Sequence, residues 1–142
     1  MAKNSRVGDW SLVLLRLVIG FMFAYHGYVK LFVKGALPGT SQFFAAIGIP
    51  FANYAAVLVA FTEFFGGLLL VLGLLTRLAA LALIIEMLTA LFKVHLKNGF
   101  FISQQAYGYE YLLVILTVLV VLLVNGAGKL SLGKLLKNKY LQ

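Results

Sequence analysis

The chain has 142 residues, of which 63% are hydrophobic and 11% are charged, and its mean hydropathy is +1.01. A soluble domain has about a quarter of its residues charged and could not bury this much apolar surface, so the surrounding solvent must be lipid. The net charge of +8 comes from basic residues at helix ends and in the tails, where they meet lipid headgroups, so we expect no nucleic-acid partner. The absence of cysteine excludes iron–sulfur clusters and thiol chemistry within this chain.

Four apolar segments follow along the chain, at about 10–32, 53–75, 77–97 and 108–126. Each is close to the length of about 20 residues that a helix needs to cross the hydrocarbon core. We therefore predict an all-α fold, an integral membrane four-helix antiparallel bundle that forms a single domain over residues 1–142.

The segment between the first two spans, "GALPGTSQFFAAIGIPF", predicts a short interfacial helix. We expect it to run from Ser41 to Ile47, with Thr40 or Ser41 as the N-cap and Gly48 and Pro50 ending it. The next two spans are separated only by "GLLTR", which predicts a tight hairpin.

The C-terminal residues 127–142 alternate leucine with lysine, which predicts an amphipathic basic tail lying among lipid headgroups. An even number of spans places both termini on one side of the membrane. That side carries more of the lysines and arginines than the other, so we predict cytoplasmic termini.

Three ionisable residues lie well inside the predicted spans, namely Arg16, Glu63 and Glu86. A charge at the centre of a bilayer costs about 2.5–3.5 kcal/mol, so these side chains should face the interior of the bundle. An arginine at that depth can reach a carboxylate, and we predict that Arg16 pairs with Glu63, or failing that with Glu86.

A second polar group is predicted at the non-cytoplasmic ends of the spans. "FMFAYHGYVKLF" places His26 and Lys30 there on span one, while His95 and Glu110 lie at the same end of spans three and four. We expect these four side chains to line one pocket that opens to the non-cytoplasmic face, with Glu63 at its floor. The competing picture is that His26 and His95 point outward and anchor the helices among the lipid headgroups.

The chain resembles the DoxX family of small four-helix membrane proteins along nearly its whole length. The matching pieces, in order, are "LLRLVIGFMFAYHGYVKL", "GIP", "EFFGGLLLVLGLLTRLAAL", "MLTALFKVHLKNGFF", "YEYLL" and "GAGKLSL". The matching positions include Arg16, His26, Gly27, Lys30, Glu63, Gly66, Gly67, Arg77, His95, Gly99 and Glu110. The sequence departs from the family at "SLG", where "SLD" is usual, and in carrying Glu86.

The resemblance implies a subunit of a quinone-linked membrane oxidoreductase in a bacterial or archaeal cell (inner) membrane. It would work with a partner redox subunit or as a homo-oligomer, among membrane lipids. Glu63 and Glu110 are then candidates for proton transfer, and Arg16, His26, Lys30 and His95 for ligand binding.

Two alternatives stay open on the sequence. The chain could be a non-catalytic scaffold, assembly factor or receptor that uses the same pocket to hold a partner. It could also hold a b-type haem between His26 and His95, which we rank below the other two. No other metal is expected.

Overall fold

A computed structural model describes residues 5–103 and 108–135 of the chain. Every regular element in these residues is helical and no β-strand occurs among them, which confirms the all-α prediction. The α-helices in chain order are α1 (Ser5–Phe32), α2 (Ala36–Ala46), α3 (Ala52–Leu72), α4 (Thr76–Ala90), α5 (Glu110–Asn125) and α6 (Leu132–Leu135). Helix α4 continues directly into a π-helical turn (Leu91–His95) and a 3₁₀ turn (Leu96–Asn98).

Three helical segments are long and apolar enough to cross a membrane, and they match the first three predicted spans. They are Asp9–Phe32, Ala52–Leu72 and Thr76–Asn98. Helix α5 is also apolar but has only 16 residues, or about 24 Å of helix against a hydrocarbon core of about 30 Å. The integral-membrane class is therefore confirmed, while a fourth complete span and the antiparallel arrangement stay predictions.

The helices pack with their buried faces inward and their apolar outer faces uncovered. Helix α1 lies along α3, α4 packs against α5, and α2 lies against α3. Side chains such as Phe23, Leu83 and Leu119 are fully buried, whereas Phe21 and Phe92 are about 70% exposed. Large exposed apolar side chains on the outside are what a lipid solvent requires, because lipid does not penalise them.

Helix α2 confirms the predicted helix between the first two spans but begins earlier than expected. It starts at Ala36, after Gly35 in the left-handed conformation (φ 84°), and has no side-chain N-cap. Thr40, predicted as a cap, lies inside the helix, where its hydroxyl donates to the Ala36 carbonyl at 2.9 Å. The prediction of a Thr40 or Ser41 cap was therefore wrong, because the left-handed glycine begins the helix instead.

The turn between α3 and α4 is as tight as predicted and contacts the C-terminal segment. Gly73 ends α3 with a φ of 67°, and its carbonyl accepts a hydrogen bond from the Gly133 N–H at 3.4 Å. A side chain at Gly73 would overlap the guanidinium of Arg16. The positive φ and the lack of room for a Cβ therefore both favour glycine at this position. Residues 136–142 of the predicted amphipathic tail lie outside the described residues.

Candidate functional site

A cleft of about 900 Å³ lies between α2, α3 and the second half of α4. Its walls are mostly apolar and include Phe43 and Phe44 of α2, Leu58 of α3, and Ile85 and Met87 of α4. Helix α2 forms one wall and is tied to the start of α3 by a hydrogen bond from the Ser41 hydroxyl to the Asn53 side chain. The prediction of an interfacial helix thus identified one wall of the cleft.

Glycines in α1 and α3 determine what lies at the deep end of the cleft. A side chain at Gly27 would overlap the backbone of Phe64, and one at Gly67 would overlap the backbone of Ala24. The two helix backbones therefore touch, as small residues allow in membranes. Lys30 follows Gly27 by one turn and Glu63 immediately precedes Phe64, so this close approach brings the two side chains together.

The Lys30 ammonium donates to Glu63 Oε2 in an ion pair at this deep end. The side chains of Lys30 and Glu63 are 20% and 7% exposed. Glu86 of α4 lies beside them, within side-chain hydrogen-bonding reach of Glu63, and its Oε2 is buried with no hydrogen-bond donor. Two carboxyl groups and one ammonium thus meet inside the membrane at the bottom of an apolar cleft.

The structure brings together some of the residues predicted for the pocket and separates others. Lys30, Glu63 and His95 all line the cleft. His26 is exposed and does not line it. The two histidines therefore do not share this site, so the cleft lacks the paired imidazoles that the haem alternative requires.

Glu110 has a different place from the one predicted. It begins α5, and its Oε1 accepts a hydrogen bond of 2.8 Å from the Ile102 N–H. Its own N–H donates to the Phe100 carbonyl. This carboxylate holds the loop before α5 in place and does not line the cleft.

Among the described residues Arg16 pairs with no carboxylate, so the predicted pair with Glu63 or Glu86 was wrong. The side chain is 2% exposed. Its Nη1 donates to the carbonyls of Leu70 and Val71 at 3.4 and 3.0 Å. Its Nη2 donates to those of Lys129 and Leu130 at 3.3 and 2.7 Å. The last carbonyls of a helix have no partner within the helix, so they attract a buried guanidinium as a carboxylate would.

Glu86 is the site residue that the sequence analysis placed least well, because it appeared only as a second choice of partner for Arg16. A signal for it existed. Ala82, Glu86 and Thr89 recur at helical spacing along α4, which places Glu86 on one helix face with a small and a polar residue. The structure shows that this face lines the cleft. Within the described residues no group of three His, Cys, Asp or Glu could hold a metal ion.

Comparison with known proteins gives a family and several relatives for this chain. The sequence matches the DoxX family over residues 11–96, which include Arg16, Lys30, Glu63 and His95. No solved structure matches the chain.

Three relatives extend the similarity beyond that range. Over 118 residues the chain is 31% identical to "Putative oxidoreductase CatD" of Bacillus subtilis (strain 168), covering 83% of this chain and 80% of that protein. Over 141 residues it is 34% identical to the uncharacterized membrane protein Rv3486 of Mycobacterium tuberculosis, covering 93% and 85%. An uncharacterized protein of Haemophilus influenzae is 34% identical over 133 residues, covering 93% and 95%. The chain belongs to the DoxX family.

Proposed function

We propose that this protein is a membrane subunit of a quinone-linked oxidoreductase and that the cleft between α2, α3 and α4 binds the quinone. The observation that carries the proposal is the apolar cleft of about 900 Å³ with the Lys30–Glu63 ion pair at its deep end. The name of the Bacillus subtilis relative includes the word oxidoreductase, which supports the same class of reaction.

The chemistry of a quinone matches the two parts of the cleft. Its ring and prenyl tail are apolar and need a slot that is reached from lipid, which the walls formed by Phe43, Phe44 and Leu58 provide. Its carbonyl oxygens need hydrogen-bond donors, and we assign that role to Lys30 and His95, which line the cleft. Proton transfer to or from those oxygens needs a carboxyl group nearby, and we assign that role to Glu63.

Arg16, His26 and Glu110 are left out of this assignment. Arg16 is held by backbone carbonyls, His26 is exposed away from the cleft, and Glu110 holds a loop. The chain has no cysteine and a second copy would have none either, so the electrons would pass to or from a redox group of a partner subunit.

A photoreactive short-chain quinone tests the binding site. In protein reconstituted in lipid nanodiscs, we expect cross-links on α2, the first half of α3 and the second half of α4. Ala82→Phe, which fills the cleft, should lower the labelling several-fold. Leu81→Phe is the matched control, because Leu81 is 44% exposed on the outer face of the same helix.

Two results would count against the proposal. Labelling that is spread over the outer faces of α1 and α5, or that Ala82→Phe leaves unchanged, would show that the cleft is not the site. A tightly co-purifying protein together with an unlabelled cleft would support the scaffold or receptor alternative instead.

The orientation belongs to the same proposal, with both termini in the cytoplasm and the cleft opening to the other side. Reporter domains fused after Gln142 and inserted at Gly39 should report opposite compartments. Gly39 lies in α2 and lines the cleft, so the inserted reporter is used to read the compartment and not the binding of quinone. The same compartment for both reporters would contradict the even number of spans.

A further inference from the structure

We propose that Glu63 and Glu86 form a carboxylic acid–carboxylate pair that holds one exchangeable proton, neutralised by Lys30, at the deep end of the cleft. This is a proton-binding site in the membrane interior, and Glu86 is the residue that creates it. It deepens the proposed function by naming where a proton would be kept, but its test needs no quinone.

The first argument is the hydrogen bonding of Glu86. Its Oε2 is buried and no donor in the described residues reaches it, yet the carboxyl group lies within hydrogen-bonding reach of Glu63. Two ionised carboxylates cannot bond to each other, since both are only acceptors. One proton between them turns this contact into a hydrogen bond.

The second argument is the balance of charge. Both glutamates lie near the middle of their membrane-crossing segments, Ala52–Leu72 and Thr76–Asn98. Lys30 supplies one positive charge to the pair from α1, so two carboxylates would leave one negative charge uncompensated in a medium of low dielectric constant. A single bound proton brings the group of three to zero.

Among the described residues that line the cleft, the other ionisable side chains are Lys93 and His95. Helix α2 has no ionisable side chain. Lys93 and His95 come seven and nine residues after Glu86 on the same segment, two turns or more along the helix, and Lys93 is exposed. They line the part of the cleft nearer its opening, where a proton or an anionic ligand would enter.

Infrared spectroscopy of the full chain in nanodiscs tests the site directly. With isotope-labelled glutamate, which marks only Glu63, Glu86 and Glu110, the protein at neutral pH should show the carbonyl stretch of one protonated glutamic acid. The band should shift when the sample is moved to heavy water. Its absence at neutral pH would overturn the proposal.

Single substitutions locate the proton. Either Glu86→Gln or Glu63→Gln leaves one carboxylate facing Lys30, a neutral pair without any proton, so each variant should lose the band. Lys30→Met removes the positive charge, so both carboxyl groups should be protonated and the band should grow about two-fold. Glu110→Gln is the control and should keep the band, because its carboxylate faces the Ile102 N–H instead.

The outcomes separate this inference from the proposed function. A band that survives both Glu63→Gln and Glu86→Gln would place the proton elsewhere and refute the pair, whatever the cleft binds. A band that behaves as expected in a protein that takes up no quinone would support the pair and refute the quinone cleft.

Discussion

Arg16 and Lys30 lie on the same helix, and each places a positive charge in the membrane, but their partners differ in kind. Arg16 donates to backbone carbonyls of α3 and of the segment after α5, and it does not line the cleft. Lys30 pairs with a carboxylate that has a second carboxyl group beside it, and all three residues line a large cleft. Backbone carbonyls cannot change their charge, whereas carboxyl groups can gain and lose protons. The first region is therefore a structural junction and the second a site for chemistry.

The largest effect should come from removing the arginine junction. Arg16→Ala removes the guanidinium donor from four carbonyl groups, of which that of Leu70 keeps the Gly73 N–H, and should lower the free energy of unfolding by about 3 kcal/mol. Arg77→Ala is the matched control and should cost less than about 1 kcal/mol, because within the described part of the chain the exposed Arg77 donates only to the Val124 carbonyl. Denaturant titration in detergent micelles measures both.

The same measurement separates the two regions. Arg16→Ala and Glu63→Gln should have additive effects to within about 0.5 kcal/mol, because the two residues share no partner. A clear coupling energy would support the direct Arg16–Glu63 pair that the sequence predicted and would show that the two regions are not independent.

The cleft region should tolerate single losses and fail when both acids are lost. After Glu63→Gln or Glu86→Gln the remaining carboxylate still pairs with Lys30, so each variant should lose about 1 kcal/mol or less. The double variant leaves a buried ammonium unpaired and should lose about 2 kcal/mol more than the sum of the singles. Additive effects, measured by the same titrations, would show that Glu86 does not share the role of Glu63.

A smaller effect is expected where α1 and α3 touch, since this contact positions the Lys30–Glu63 pair. Gly67→Ala places a methyl group against the backbone of Ala24 and should lower stability by about 1–3 kcal/mol. Gly39→Ala, in open space on α2, should be neutral or stabilise by up to about 1 kcal/mol. If thermal unfolding shows equal shifts for both variants, backbone entropy and not helix contact explains them.

Much of the fold could be predicted from the sequence because lipid imposes simple rules. The lengths of the apolar segments predicted the helices, and Gly48 and Pro50 predicted the end of α2. The start of α2 was missed because Gly35 needs no side-chain signal to begin a helix. The partners of Arg16 could not be predicted, since backbone carbonyls carry no sequence signature and the return of residues 129–131 to the α3–α4 turn is a tertiary event.

The candidate site was half predictable, and the reason is helix geometry. Once Gly27 is taken as the contact with α3, Lys30 lies on nearly the same face one turn later. His26 precedes Gly27 by one residue and so points about 100° away from it, which agrees with its exposure. Depth and helix angle both group His26 with Lys30, because the two residues are only about 40° apart around the helix. His26 lies farther from the direction of the Gly27 contact than Lys30 does, at about 100° against about 60°.

The π-helical turn at the end of α4 has a consequence for His95. Nine residues separate Glu86 from His95, and at about 100° per residue an unbroken α-helix would place them on opposite faces, about 180° apart. Both nevertheless line the cleft. A π turn accommodates one extra residue per turn and so resets the angular phase of everything after it. His95 lines the cleft because Leu91–His95 are wound more loosely than the helix that leads to them, whereas the same nine residues wound as a regular α-helix would turn it toward the opposite face.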